Sequence, residues 1–153
     1  MAITDIRVGE ADFSLDEELT RIMRESPSAG GVASFVGLVR HKNDGSAVSR
    51  MTLEHYPGMT EKSLAKIAAA ARERFHLGDV IVVPRVGELK VGDRIVLCLT
   101  SAEHRGDAFA GCEYIMDWLK TEAPFWKKEQ TPDGERWVDA RESDDKARER
   151  WLV

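Results

Sequence analysis

The sequence has few of the features that mark exported, membrane-spanning or disulfide-stabilised proteins. Its 153 residues include two cysteines and no Cys-x-x-Cys pair. Cys98 lies in the apolar run IVLCL and Cys112 on the apolar side of a predicted helix, so both are expected to be buried thiols. No apolar run approaches the roughly 20 residues that cross a bilayer, and MAITDIRVGE lacks the basic and apolar parts of a leader. These absences predict a soluble, cytoplasmic protein.

The lack of a net positive charge and the lack of metal-ligand spacing argue against two classes of function. The net charge of −5 argues against general nucleic-acid binding, because such proteins usually carry a basic field that displaces counterions from phosphates. The four histidines show neither His-x-x-x-His spacing nor cysteine partners, so no metal site and no cofactor are expected. Any anion site must therefore be local.

The chain does contain clear helix signals. Ser14 and Glu17 have the spacing of a capping box and start a helix predicted over 14–25. Thr60 is the expected N-cap of a second helix, whose apolar stripe runs from Leu64 to Phe75. A third helix is predicted from about 107 to just before Pro124, which disfavours helical geometry in the preceding residue.

The strand signals stand between these helices without strict βαβ alternation. VASFVGLVR, RMTLEHY, VIVVPRV and RIVLCLT are β-rich, and the first is expected to be largely buried. FWKKEQ and ERWVDA flank Thr-Pro-Asp-Gly, which predicts a hairpin. We therefore expect one domain over residues 1–153, with an α+β fold of mainly antiparallel sheets, helices packed on the sheet and a C-terminal β-hairpin.

The basic residues gather at the ends of these elements, where rigid scaffolds often display functional groups. His104 and Arg105 precede a helix, where free backbone N–H groups attract anions and an arginine can bind phosphate with two hydrogen bonds. The alternative is a solvated loop arginine beside a histidine that bonds a backbone carbonyl. Spacing alone leaves both open.

The stretch LKTEAPFWKKE (119–129) concentrates lysines around a helix end. Lys120 suits the last turn of a helix, where the dipole favours a cation by roughly 0.3–1 kcal/mol. A nucleophilic or proton-carrying lysine would instead need desolvation or nearby positive charge to lower its pKa. Strand alternation puts Phe125, Lys127 and Glu129 on one face and Trp126 and Lys128 on the other, so Lys127 is the lysine expected to face Lys120.

Four separated motifs together resemble the large, catalytic subunit of molybdopterin synthase. They are Gly-x-Val-Arg at 37–40, LEHYPGM at 53–59, His104-Arg105 and LKTEAPFWKKE at 119–129. The resemblance covers about residues 30–142. It implies an α/β hammerhead fold, a homodimer of large subunits, and a small ubiquitin-like sulfur-carrier subunit on each, making a heterotetramer.

The resemblance also implies a reaction and its residues. The family transfers two sulfurs from the thiocarboxylated C-terminus of the carrier to cyclic pyranopterin monophosphate (precursor Z), which forms the dithiolene of molybdopterin. Lys120 and Lys127 correspond to the catalytic residues. The implied substrate-binding residues are Leu38, Val39, Arg40, His104, Arg105, Lys128, Glu129 and Arg141, with Arg141 entering from the dimer mate. Leu38 departs from relatives that often carry a polar or basic residue there.

These assignments predict that Arg40, His104, Arg105, Lys120 and Lys127 line one pocket. The alternative is a non-catalytic module that binds a ubiquitin-like tail and uses the lysines as surface counter-charges. A phosphate-ester hydrolase using His104 is less well supported, because no nucleophile or metal site accompanies the histidine.

Overall fold

The computed structural model describes residues 2–43, 46–47, 49–138 and 142–152. Its helices are α1 (Leu15–Glu25), α2 (Met59–Phe75), α3 (Arg105–Glu122) and α4 (Glu142–Glu149), and a 3₁₀ turn follows at Arg150–Leu152. The strands are β1 (Thr4–Ile6), β2 (Gly31–Leu38), β3 (Lys42–Asn43), β4 (Ser46–Ala47), β5 (Arg50–His55), β6 (Leu77–Pro84), β7 (Gly87–Lys90), β8 (Arg94–Ala102), β9 (Phe125–Thr131) and β10 (Gly134–Val138).

The strands form two four-stranded sheets and a small two-stranded one. The first sheet has the order β1-β6-β8-β2, and the second has the order β10-β9-β5-β7. Among the strands of the described residues, all pairings are antiparallel except β1 with β6. The prediction of an α+β fold with mainly antiparallel sheets and a C-terminal hairpin is therefore confirmed.

The helix starts differ from their predictions in two places. The Ser14 hydroxyl accepts from the Glu17 N–H at 3.2 Å, as predicted for α1. The N-cap of α2 is Gly58 rather than Thr60, because Gly58 adopts a φ of 85° that turns the chain into the helix two residues earlier. Helix α3 begins at Arg105 rather than near 107, with His104 as its N-cap.

The strands differ from the predictions in three places. β1 and β7 were not predicted, because they have only three and four residues. β7 pairs with β5. The expectation that VASFVGLVR is largely buried is wrong, since β2 is an edge strand and Phe35 and Leu38 are 43% and 56% exposed.

Helices α2 and α3 pack together on one face of the first sheet, with a core that includes Leu64, Ala68, Val80, Cys98 and Ile115. Apolar residues of α1 cover the other face around Ile22, Ile81 and Leu97. This packing fixes α3, so that its C-terminal end lies beside the second sheet. Among the described residues, no helix is long and apolar enough to cross a membrane.

The two cysteines are free and buried, as predicted. A hydrogen bond with Cys112 and complete burial both raise the pKa of the Cys98 thiol, so this thiol stays protonated. The pair belongs to the α3–β8 packing and lies outside the cavities described below.

Candidate functional site

A cavity of about 670 Å³ lies where the end of β2, strands β5 and β9, and the C-terminal half of α3 meet. Six residues that the sequence analysis assigned to a site line it: Leu38, Val39, Arg40, Lys120, Lys127 and Glu129. They come from three separate segments of the chain. The fold, rather than any local motif, brings them together.

Strand alternation selects the side chains that β9 contributes to this cavity. Phe125, Lys127 and Glu129 line it, while Trp126 is 48% exposed on the other face. Lys127 therefore lines the same cavity as Lys120, on the face that strand alternation predicts. The Lys128 Nζ instead lies 3.4 Å from Glu135 Oε2 and 5.1 Å from the centre of the Trp137 ring. Lys128 is therefore not among the residues that line the cavity, and its assignment to the substrate stays a prediction.

Lys120 occupies the last turn of α3. The helix ends at Glu122, because Ala123 is extended (φ −79°, ψ 134°) before Pro124. Lys120 is exposed and lines the cavity, and its ammonium makes no ion pair or hydrogen bond within the described part of the chain.

The arginines differ in whether their guanidinium groups have a hydrogen-bond or ion-pair partner in the chain. Of those that the structure describes, only Arg40 and Arg105 make no side-chain hydrogen bond or ion pair. Each of the others has an acceptor in the chain. Unpaired, exposed guanidinium groups can still form the bidentate bonds that carboxylates and phosphates accept.

Glu129 gives the cavity one buried carboxylate. Its side chain is almost fully buried, and Oε1 accepts from Arg136 Nη2 at 3.3 Å across the β9–β10 pair. A buried carboxylate requires such a partner. Glu129 therefore ties the hairpin to the cavity wall beside Lys127.

His104 and Arg105 lie at the N-terminal end of α3, away from the larger cavity. They line a second cavity of about 450 Å³ with Gly30, Glu103 and Gly106. Arg105 and Lys120 stand at opposite ends of α3, about 22 Å apart at 1.5 Å per residue. The prediction that His104 and Arg105 share one pocket with Arg40, Lys120 and Lys127 is therefore wrong for a single chain. Arg141 lies outside the described residues.

Arg85 is a charged residue of the larger cavity that sequence reasoning missed. Its guanidinium donates to the carbonyls of Glu10 and Arg94 and lies 3.8 Å from Asp12 Oδ1. No motif or spacing marks it, because its hydrogen-bond acceptors are backbone oxygens. Within the residues described, no group of three His, Cys, Asp or Glu side chains is placed to hold a metal ion.

Comparisons with known proteins add an independent line of information. The family model described as MoaE protein matches residues 8–122. The molybdopterin synthase catalytic subunit of Ralstonia nicotianae is 59% identical over 148 residues, which cover 97% of this chain and 84% of that protein.

Two solved structures are similar in fold. The molybdopterin biosynthesis MoaE protein from Burkholderia ambifaria has a TM-score of 0.84 and 55% identity, and the match covers 99% of each chain. A chain from the complex of subunits 1 and 2 of the molybdopterin-converting factor of Helicobacter pylori has a TM-score of 0.68 over 92% of each chain. At 22% identity, that likeness shows the fold alone.

Proposed function

Because this chain belongs to the MoaE family, we propose that it is the catalytic subunit of a molybdopterin synthase. In this reaction, two molecules of a small carrier protein each give one sulfur from a thiocarboxylated C-terminus to cyclic pyranopterin monophosphate, and each leaves with an ordinary C-terminal carboxylate. The observation that carries the proposal is the cavity in which Arg40, Lys120 and Lys127 meet.

The charge of this cavity suits the proposed reactants. The pyranopterin phosphate and the thiocarboxylate are both anions, so positive groups lower the cost of bringing them together. Arg40 has no acceptor within the described chain, and we assign it to the substrate phosphate. Lys120, which is exposed, acts at the carrier's C-terminus, and the less exposed Lys127 acts at the pterin substrate.

The remaining cavity residues have supporting roles in this proposal. Leu38 and Val39 contact the substrate through the cavity wall, and Glu129 holds β9 through Arg136. Lys128 contributes through its backbone, since its side chain pairs with Glu135.

His104 and Arg105 complete the site from a second copy of the chain. Their distance from Lys120 prevents them from joining the same cavity within one chain, and a homodimer removes that restriction. Arg141 is proposed to enter from the mate in the same way. The Helicobacter pylori protein was solved as a complex of two subunits. A small ubiquitin-like carrier on each large subunit gives the heterotetramer proposed here.

We further propose that the enzyme is cytoplasmic, forms one domain over residues 1–153 and needs no metal for the transfer, since lysine and arginine supply the positive charge. The test is a reconstitution. Purified chain, cyclic pyranopterin monophosphate and thiocarboxylated carrier should together yield the dithiolene product, while carrier ending in an ordinary carboxylate should yield none. Carrier binding without product would favour the non-catalytic binding module instead, and release of inorganic phosphate would favour the hydrolase.

A further inference from the structure

The LEHYPGM segment (53–59) supplies no cation to the larger cavity, and of its residues only Leu53 lines it. The segment runs from β5 into the start of α2. β5 pairs with β9 so that Leu53 lies opposite Lys127 and His55 lies opposite Phe125. The segment therefore packs along the part of the chain that carries the second proposed catalytic lysine.

Thr60 follows this segment and makes a side-chain hydrogen bond to the connection between the two lysines. Its side chain is fully buried. The Oγ1 atom accepts from the Tyr56 N–H at 3.0 Å and donates to the Pro124 carbonyl oxygen at 2.9 Å. Both capacities of a buried hydroxyl are therefore used, and one of them holds a residue 64 positions away.

Pro124 lies in the short connection between the two lysines. α3 ends at Glu122 and β9 begins at Phe125, so Ala123 and Pro124 alone join the helix to the strand. The Phe125 N–H donates to the Ala123 carbonyl at 2.9 Å, which keeps this connection tight. Its geometry sets where Lys120 points relative to Lys127.

We propose that Thr60 is a positioning residue, which holds the Pro124 carbonyl and thereby fixes the geometry between Lys120 and Lys127. The start of α2 explains why the Thr60 hydroxyl can bond Pro124. Gly58 takes the N-cap position with a φ of 85°, and its N–H donates to Glu61 Oε1 at 3.1 Å. The Thr60 hydroxyl is consequently not used as a helix cap and bonds Pro124 instead.

The kinetic test compares three variants in the complete synthase of this chain and its carrier, so it rests on the proposed function. Thr60→Val removes the hydroxyl and keeps the shape, and Thr60→Ser keeps the hydroxyl. Because a displacement of about 1 Å can cost up to a hundredfold in rate, we expect Thr60→Val to lower kcat by about tenfold or more. KM should change by less than about twofold, since the phosphate ligands are untouched, and Thr60→Ser should stay within about threefold of the parent kcat.

Thr100→Val is the matched control. Thr100 is also a fully buried threonine, and its Oγ1 donates to the Ala108 carbonyl at 2.7 Å, near the other end of α3. This variant loses a comparable buried hydrogen bond and should keep its kcat below its unfolding temperature. An equal loss of kcat in Thr100→Val, or an unchanged kcat in Thr60→Val, would overturn the inference.

A second measurement does not need activity. Amide hydrogen exchange of the peptide covering 119–127 should be faster in Thr60→Val and unchanged in Thr100→Val, because only the former releases Pro124. If Thr60→Val does not fold, Thr60→Ala removes the same hydroxyl with space for a water, and the same increase is expected. Unchanged exchange would reject the positioning role. Faster exchange in a chain that makes no dithiolene would uphold it while rejecting the proposed function.

Discussion

Arg105 and Lys120 lie at opposite ends of α3, about 22 Å apart at 1.5 Å per residue. Both are exposed, and neither side chain has an acceptor in the described part of the chain. They line different cavities. Within one chain they therefore do not share a cavity, and the proposed reaction centre takes them from two copies of the chain.

This arrangement predicts complementation between inactive variants. Arg105→Ala and Lys120→Ala should each lose activity in a homodimer. In a mixed dimer, one site carries both changes and the other carries neither, so random mixing should restore about a quarter of the parent activity. Product formation after subunit exchange measures this.

The matched control mixes Lys120→Ala with Lys127→Ala. These two lysines belong to the same cavity of one chain, so each site of a mixed dimer still lacks one of them. No activity should return. Equal recovery in both mixtures, or none in either, would contradict a site shared between copies.

The sequence predicted those parts of the site that depend on local periodicity. The two-residue period of a strand separated Lys127 from Lys128, and Pro124 placed the end of α3 near Lys120. The separation of Arg105 from Lys120 also followed from the predicted helix. The family resemblance placed both in one site without specifying which copy supplies each, and the prediction of a single pocket overlooked the helix length.

Other features depend on long-range packing and could not be predicted from local signals. β7 is only four residues long, and β5 stabilises it as a strand by pairing. Thr60 has the residue type of an N-cap, but its hydroxyl bonds Pro124. The Arg136 partner of Glu129 requires the register of the β9–β10 hairpin.

Gly30 is predicted to be indispensable for the position of the His104–Arg105 segment. A Cβ on Gly30 would lie 1.9 Å from the Glu103 carbonyl oxygen, so a side chain forces the backbone before His104 to move. Gly30→Ala should lower the free energy of unfolding by about 1–3 kcal/mol, as overpacking does, and raise the KM for the pterin phosphate. Urea unfolding and steady-state kinetics measure the two effects.

Gly106→Ala is the control for this change. Gly106 lines the same cavity and lies in the first turn of α3, and a Cβ there would meet no atom within 4 Å. Its substitution should leave stability unchanged or raise it by up to about 1 kcal/mol through helix propensity. Equal free energies of unfolding for Gly30→Ala and Gly106→Ala would contradict the steric explanation.

Asp79 is predicted to be a major source of stability. It is buried and accepts hydrogen bonds from the Ile3 N–H at 2.8 Å, Ser26 Oγ at 2.7 Å and Ser101 Oγ at 2.5 Å. Asp79→Ala removes the acceptor of these hydrogen bonds. Because bonds to a charged group contribute about 1.5–3 kcal/mol each, the free energy of unfolding should fall by roughly 3 kcal/mol or more.

Asp93→Ala provides the comparison in the same urea experiment. Asp93 accepts from the Lys90 N–H at 2.9 Å in an exposed turn, where water can replace it. Its loss should cost about 1 kcal/mol or less. Equal costs for the two aspartates would show that burial of the Asp79 cluster adds nothing.

The substitution of Lys120 separates charge from chemistry. If this lysine only provides positive charge, Lys120→Arg should keep most activity, because arginine stays protonated and binds the same anions. If Lys120 must lose a proton or attack a carbonyl, arginine cannot replace it, since its guanidinium stays protonated and is a poor nucleophile at neutral pH. We expect the second result, with Lys120→Ala and Lys120→Arg both losing about a hundredfold or more in product formation.

Carrier affinity, measured by titration, should change little in these variants. Lys66→Arg, on the exposed side of α2, should behave like the parent. Near-normal turnover in Lys120→Arg would instead make Lys120 an electrostatic anchor and leave the chemical step to Lys127.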